Sequence, residues 1–132
     1  MKKDNFSLFI ENHKKDTPIP IGVSFVSIKN KILGKNYDLS VSFLSPKKQK
    51  EINRKYRNID KTTNILSFPI SKNSGEITFD LSKVKKDAKL FEMTFPKFFK
   101  YLLIHGCLHL KGFEHSDTME KEEKKFMDLF SK

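Results

Sequence analysis

The sequence predicts an α+β fold, or a mixed α/β fold, formed as one domain over residues 1–132. Strand-like segments lie in the first two thirds of the chain, whereas the residues after Leu81 follow one helical pattern after another. A chain of 132 residues buries about two thirds of its unfolded surface without disulfides or a structural metal. No repeat, linker or low-complexity tract divides it, so we expect a single core covered in two or three layers.

The strands are predicted from alternation and from turn residues. Phe6–Ile10 is a short apolar segment, and in Leu39–Phe43 apolar residues alternate with serines, which is the period of a half-buried strand. Ile65–Pro69 and Gly75–Phe79 are separated by a polar turn that is short enough for an antiparallel hairpin. These segments are the candidates for the sheet.

The helices are predicted from apolar periodicity and capping residues. Residues 21–33 carry an amphipathic pattern that ends at Gly34, and Ser45-Pro46 provides an N-cap and a first-turn proline for a helix to about Tyr56. Three further helices are expected: one after Leu81 to about Leu90, a long one over Thr94–Lys111, and a last one after Ser116. The long helix is apolar nearly all round, which predicts that it is buried at the centre.

Three histidines near the end of the long helix have the spacing of metal ligands. His105 and His109 are four residues apart, so on a helix their Cβ atoms lie on one face at about 6 Å. Gly112 favours the end of the helix there, and the returning chain can bring His115 to the same ion. Three nitrogen ligands leave one tetrahedral position open for water, which is typical of a catalytic zinc site.

The distribution of histidine and cysteine supports this interpretation. The chain has four histidines, and the fourth, His13, lies in a polar, lysine-rich stretch where we expect it to be solvated. Cys107 is the single cysteine, so the chain forms no internal disulfide and suits a reducing cytoplasm. Because Cys107 is two positions from each flanking histidine, it faces elsewhere on the helix, and we predict a packing role in the core.

The charge of the chain favours a phosphate-bearing partner. The formal net charge is +10 and the sequence pI is about 9.6, which suits nucleic acid, although a lysine-rich proteome would give a similar excess. No apolar run is long enough to span a bilayer, and no export signal is evident. We therefore expect neither membrane insertion nor secretion.

The histidine spacing is shared with metzincin proteases, which makes a zinc peptidase the rival enzyme. In those proteases a glutamate follows the first histidine and acts as general base, whereas Gly106 stands there here. Glycine costs about 1 kcal/mol in a helix interior relative to alanine, so either close packing of a sheet or the approach of a substrate is expected at Gly106. Glu114 is the nearest carboxylate, and it is a candidate base, a group that orients His115, or a solvated residue.

Arginine is rare in this chain, which draws attention to its two positions. Arg54 and Arg57 stand against 24 lysines among the 26 basic residues. A guanidinium holds phosphate through two parallel hydrogen bonds, whereas lysine offers a point charge. Arg57 is therefore a candidate phosphate ligand, and Asn53, one turn earlier, is a weaker candidate on the same helix; covering the helix surface is the alternative for both arginines.

The run His-Gly-x-Leu-His-Leu-x-Gly-Phe-Glu-His over residues 105–115 resembles the signature of the YbeY family. The members of this family are single-domain bacterial metal-dependent endoribonucleases that act in ribosomal RNA maturation. Residues 52–69 resemble its Asn-x-x-Tyr-Arg segment running into Leu-Ser-Phe-Pro, and Gly75-Glu76-Ile77 resembles its Gly-Asp-Ile strand start. Thr62, Phe113 and Glu114 depart from the residues usual in the family, but none of them is a proposed ligand.

The resemblance implies an activity, a cofactor and partners. It implies that His105, His109 and His115 bind zinc, that Arg57 lies in the adjacent cleft, and that Ser67 lines the same cleft. It also implies a four-stranded mixed sheet surrounded by helices. The expected partners are RNA, chiefly ribosomal RNA, and the small ribosomal subunit with its proteins, in the cytoplasm.

The leading hypothesis is a zinc-dependent endoribonuclease that prefers single strands and acts in ribosomal RNA processing and ribosome quality control. A zinc-activated water or the RNA 2′-hydroxyl would attack the phosphodiester, with His109 and Arg57 as catalytic residues and Arg57 stabilising the transition state. Nickel, copper or cobalt could also occupy a three-histidine site. The alternatives are a zinc metallopeptidase and a non-catalytic RNA- or ribosome-binding assembly factor with a structural metal.

Overall fold

Four strands and five helices make up the part of the chain that the computed structural model describes, residues 6–10, 24–58, 63–113 and 117–131. The strands are β1 (Phe6–Ile10), β2 (Asp38–Phe43), β3 (Ile65–Ser71) and β4 (Ser74–Phe79), and the helices are α1 (Phe25–Leu33), α2 (Pro46–Arg57), α3 (Leu81–Leu90), α4 (Phe95–Lys111) and α5 (Asp117–Leu129). The predicted α+β fold is confirmed. The start of the first predicted helix, residues 21–23, lies outside the described residues.

The four strands form one mixed sheet in the order β1-β2-β4-β3. Strand β2 pairs in parallel with both β1 and β4, while β3 pairs antiparallel with β4 through the short turn between them. The predicted hairpin is therefore confirmed, and the sheet is mixed because its last strand runs against the others. This order leaves β3 at one edge of the sheet.

The two faces of the sheet carry different helices. Along β3, side chains alternate between the faces: an added Cβ at Gly106 of α4 would meet Ile65 and Ser67, whereas the Phe68 ring contacts Tyr56 of α2. Helix α1 also packs on α4 and the same side of the sheet. The domain thus has three layers, with α2 on one face and α1 and α4 on the other.

Helix α4 is the buried central helix, as predicted. Its N-cap Thr94 accepts a hydrogen bond from the backbone N–H of Lys97 at 3.3 Å, and the helix ends at Gly112, which has a φ of +114°. The Phe99 ring packs against Phe79 of β4 with centroids 4.5 Å apart. The fully or nearly buried residues of this helix are Phe98, Phe99, Leu102, Leu103, Ile104, Gly106, Cys107 and Leu108.

Helix α2 is capped at its start by Ser45 and is anchored to the sheet by a polar contact. Ser45 caps its first turn by accepting from the N–H of Lys48 at 3.2 Å, and the Gln49 amide donates to the carbonyl of Thr78 in β4 at 3.1 Å. Asn58 ends the helix in the left-handed region with a φ of +57°.

Within the described residues, no helix combines the length and the apolar character that a membrane span requires.

Candidate active site

Two imidazole nitrogens meet on the exposed side of α4. The Nε2 atoms of His105 and His109 are 3.1 Å apart, and the rings stand edge to face at 86° with centroids 4.5 Å apart. Helical spacing brings both rings to one face, as predicted, because four residues complete about one turn. Both histidines are half-buried, so their rings are positioned by packing yet remain reachable from solvent.

The other ring nitrogen of His105 is held by a carboxylate from a different helix. Nδ1 of His105 contacts Oε2 of Glu123 on α5, and Glu123 is 7 % exposed. A carboxylate only accepts, so Nδ1–H is the donor, and in the neutral imidazole the lone pair is then on Nε2, which faces His109. The contact fixes the tautomer of His105 in the way that outer carboxylates orient metal-binding histidines.

Tyr101, one turn before His105 on α4, contacts the same carboxylate. Its hydroxyl donates to Oε1 of Glu123 at 3.5 Å, and its ring stacks near His105 with centroids 6.1 Å apart. Burial and, second, the neighbouring Glu123 raise the pKa of Tyr101, so the phenol stays protonated and keeps its donor. Both oxygens of the Glu123 carboxylate are therefore engaged.

Sequence reasoning missed Glu123, although the sequence contains a signal for it. On α5 the buried residues are Met119, Glu123 and Phe126, which follow the i, i+4, i+7 spacing of an apolar helix face. A single carboxylate on that face has to be paired when it is buried. Its partner, His105, is 18 residues away and could not be identified without the packing of α5 on α4.

Gly106 is required by the sheet that packs against α4. An added Cβ would lie 2.9 Å from Ser67 Oγ, 3.0 Å from Ile77 Cδ1 and 3.1 Å from Ile65 Cδ1. Of the two explanations open at the sequence level, close packing of the sheet is thus observed. The residue after the first histidine faces the sheet, where a glutamate side chain has no room, and Ser67 lies beside the turn of α4 that carries His105.

The other predicted site residues occupy separate parts of the molecule. Arg57 is exposed at the end of α2, whereas Asn53 is 2 % exposed on the side of α2 that packs on the sheet. Arg57 and Asn53 therefore do not share a solvent-facing surface, and direct contact of Asn53 with a substrate would need α2 to lift. Glu114 and His115 lie outside the described residues.

The two placed histidines suit a metal in their spacing. Nitrogens bound at about 2.0 to 2.1 Å to one tetrahedral ion lie about 3.3 Å apart, close to the observed 3.1 Å between the Nε2 atoms. The described residues contain no group of three or more histidine, cysteine, aspartate or glutamate side chains gathered for a metal, and the expected third ligand, His115, is not among them. His105 and His109 can thus supply two ligands.

Cys107 belongs to the core. Its side chain is 0 % exposed, and burial raises the pKa of its thiol to about 12. A thiol in that state is neither a nucleophile nor a metal ligand at neutral pH. The predicted packing role is confirmed.

Known proteins with a similar sequence or fold place this chain among nucleases. Its fold is similar to the solution structure of TM1509 from Thermotoga maritima, with a TM-score of 0.62, 26 % identity, and coverage of 92 % of this chain and 87 % of that chain. A Buchnera aphidicola protein named Endoribonuclease YbeY is 33 % identical, covering 96 % of this chain and 85 % of its own length. Proteins of the same name from Caldicellulosiruptor bescii and Clostridium botulinum are 31 % and 33 % identical, covering 91 % and 76 % of this chain and 89 % and 75 % of their own lengths.

These likenesses define the class of protein first: a small α+β hydrolytic nuclease built around one central helix. The family follows from the sequence, because the model of the Endoribonuclease YbeY family matches residues 11–130. The chain belongs to that family, as the two motifs in residues 52–69 and 105–115 predicted.

Proposed function

We propose that this chain is a zinc-dependent endoribonuclease that cuts single-stranded RNA during ribosomal RNA maturation and ribosome quality control. The observation that carries the proposal is the convergence of the His105 and His109 Nε2 atoms, 3.1 Å apart, in a member of an endoribonuclease family. We further propose that His115 completes the ligand set. A bound zinc ion would supply a water with a pKa lowered to about 7 and a Lewis acid for a phosphate oxygen.

The protein's own residues divide the remaining tasks. Glu123 keeps His105 in the tautomer whose Nε2 lone pair faces His109, and Tyr101 fixes that carboxylate. Arg57, exposed at the end of α2, would hold the phosphate and offset the charge that develops during cleavage. Ser67, whose Oγ faces Gly106, would line the same cleft from the sheet, and Glu114 remains a proposed base or a residue that orients His115.

The charge and composition support the proposed partners. A net charge of +10 favours RNA, and we propose ribosomal RNA and the small ribosomal subunit as the natural targets. A single cysteine that is buried as a thiol suits a reducing compartment, so the proposed location is the cytoplasm.

The packing at Gly106 argues against the peptidase alternative. In metzincins the position after the first histidine carries the base, but here that position points into Ser67, Ile65 and Ile77 of the sheet. A non-catalytic assembly factor is the other alternative. It predicts that loss of a histidine lowers stability and ribosome association together, with no nuclease activity to lose.

The experiment compares zinc-loaded and chelated protein on a structured ribosomal RNA and on an unfolded protein substrate. His109→Ala should abolish RNA cleavage, and His13→Ala is the matched control, because His13, which lies outside the described residues, is not one of the proposed ligands. The ends of the RNA products identify the nucleophile, since attack by the 2′-hydroxyl leaves a cyclic phosphate and attack by water does not.

Each alternative has its own outcome in this assay. Cleavage of the protein substrate, blocked by His109→Ala, would mean a peptidase. RNA cleavage that survives intact in His109→Ala would come from a contaminant and would refute the catalytic site. No cleavage by zinc-loaded protein, combined with loss of stability in His109→Ala, would favour the assembly factor.

A further inference from the structure

A second concave surface lies on the opposite face of the sheet from the histidine pair. This α2–β3 groove, between helix α2 and strand β3, has a volume of about 970 Å³ and is lined mainly by side chains of these two elements, together with Glu76 of β4. Neither the histidine pair nor Glu123 is among the residues that line it. The groove is therefore a separate feature of the surface that the proposed chemistry does not explain.

Large apolar side chains are exposed in this groove. Tyr56 of α2 is 64 % exposed and Ile70 of β3 is 68 % exposed. The Tyr56 ring is steadied by Phe68, with centroids 5.3 Å apart at 56°, and the Lys55 ammonium lies 5.7 Å from the Tyr56 centroid. An aromatic ring that is steadied by a neighbour and still mostly exposed is a surface on which an unpaired base can stack, and the Lys55 ammonium beside it can pair with a phosphate.

The charge of α2 matches a polyanion. The helix contains six lysine or arginine residues and one glutamate. Three of these cations, Lys48, Arg54 and Lys55, line the groove and outnumber its two carboxylates, Glu51 and Glu76. Lys48 and Lys55 are separated by about 10 Å along the helix axis, which is the length of two to three stacked nucleotides at about 3.4 Å each. Positively charged side chains therefore lie along the groove up to the exposed ring of Tyr56.

Edge strand β3 connects the groove with the histidine side of the sheet. Ser67 faces Gly106 of α4, and the next residue, Phe68, faces Tyr56 of α2. Because β3 is the last strand of the sheet in the described part of the chain, a flexible RNA strand can pass around this edge from one face to the other. A base-paired duplex is too stiff and too wide to follow that path.

We propose that the α2–β3 groove binds single-stranded RNA, with Tyr56 stacking on a base and Lys48, Arg54 and Lys55 holding the backbone. The inference rests on the proposed RNA-cleaving function, because the strand bound in the groove is the continuation of the strand that is cut. The groove thereby selects unpaired segments of the substrate.

Binding is measured by fluorescence anisotropy with a labelled single-stranded RNA of about 12 nucleotides and with the matching duplex, in His109→Ala protein so that the RNA stays intact. Tyr56→Ala should weaken single-strand binding by at least about fivefold, since a stacked base contributes about 1 to 3 kcal/mol. Tyr56→Phe should restore it. Arg54→Ala should lower the dependence of log Kd on log salt concentration by about 0.7, the contribution of one phosphate on a single strand.

Phe91→Ala is the matched control, because Phe91 is also 64 % exposed but lies in the turn after α3. Its affinity for RNA should stay within about twofold of the parent protein. Glu51→Lys, which exchanges an acidic residue of the groove for a basic one, should tighten binding. A general loss of folding would weaken RNA binding in both variants, so it would not lower the affinity in Tyr56→Ala and raise it in Glu51→Lys.

Unchanged RNA affinity in Tyr56→Ala, or an equal loss in Phe91→Ala, would overturn the proposal. In the first case we would conclude that the groove binds a protein partner and not RNA. The result is separable from the test of cleavage: RNA cleavage by the wild-type protein with no effect of Tyr56→Ala on binding would refute the groove alone. A Tyr56-dependent affinity in a protein that cuts no RNA would refute the catalytic proposal alone.

Discussion

The carboxylate of Glu123 holds Nδ1 of His105, so that Nε2 of the same ring faces His109. The two residues come from different helices, α4 and α5; Glu123 is buried and His105 is half-buried. A histidine that rotates freely loses part of its binding energy for a metal as rotational entropy, whereas a ring that a hydrogen bond holds in one orientation does not. Docking of α5 on α4 therefore orients the ring of His105, one of the two histidines that we propose as metal ligands.

The first prediction concerns metal affinity. Glu123→Ala should weaken zinc binding by about 10- to 100-fold, because His105 loses the group that fixes its tautomer. The zinc affinity of Glu123→Gln should lie between those of Glu123→Ala and the wild type, since an amide oxygen still accepts from Nδ1–H. The measurement is zinc competition with a chromogenic chelator, alongside thermal unfolding of the metal-free protein.

The control for this prediction is Glu122→Ala, which removes the adjacent carboxylate from the same helix. Its zinc affinity should match that of the wild type. If Glu123→Ala lowers the unfolding temperature and leaves zinc affinity unchanged, Glu123 supports only the packing of α5.

A second prediction concerns the close approach of Gly75 and Tyr37. A Cβ added at Gly75 would collide with the Tyr37 hydroxyl and lie 3.0 Å from Leu110 Cδ2. Gly75→Ala should therefore lower the free energy of unfolding by about 1 to 3 kcal/mol. The Tyr37 hydroxyl is buried and has no hydrogen-bond partner among the described residues, so Tyr37→Phe should cost little or stabilise.

Urea unfolding of both single variants and the double variant measures the coupling. In the Tyr37→Phe background, Gly75→Ala should lose at least about 1 kcal/mol less than it does alone. Additive effects would mean that the strain at Gly75 arises from Leu110 rather than from the hydroxyl.

How far the sequence could predict this molecule depends on whether the signal is local. The His105–His109 pair follows from one helical turn, and the ends of α2 and α4 follow from Ser45, Thr94 and Gly112. The need for glycine at 106 was visible in the sequence, but its cause was not, because Ile65 and Ser67 reach α4 only once β3 takes its place at the sheet edge. Contacts between distant elements required the structure.

The third prediction concerns the accessibility of Cys107. Its thiol is fully buried between α4 and the core, and its pKa is raised by that burial to about 12, so neither access nor ionisation favours reaction near neutral pH. In native protein a thiol reagent should label it only at the rate of unfolding, whereas in guanidinium chloride labelling should be immediate. Rapid labelling of the native protein would mean that α4 opens from the sheet without global unfolding.

The last prediction separates the charge of Arg57 from its shape. If Arg57 holds the phosphate by two parallel hydrogen bonds as cleavage proceeds, Arg57→Lys keeps the charge but loses the fork, so kcat should fall at least about tenfold. In Arg57→Ala kcat should fall further, by about 100-fold or more. Lys50→Ala removes an exposed cation from the same helix, away from the groove, and should leave kcat unchanged. Equal kcat values for Arg57→Lys and the wild type would mean that Arg57 acts through its charge alone. A wild-type kcat in Arg57→Ala would mean that Arg57 has no part in catalysis.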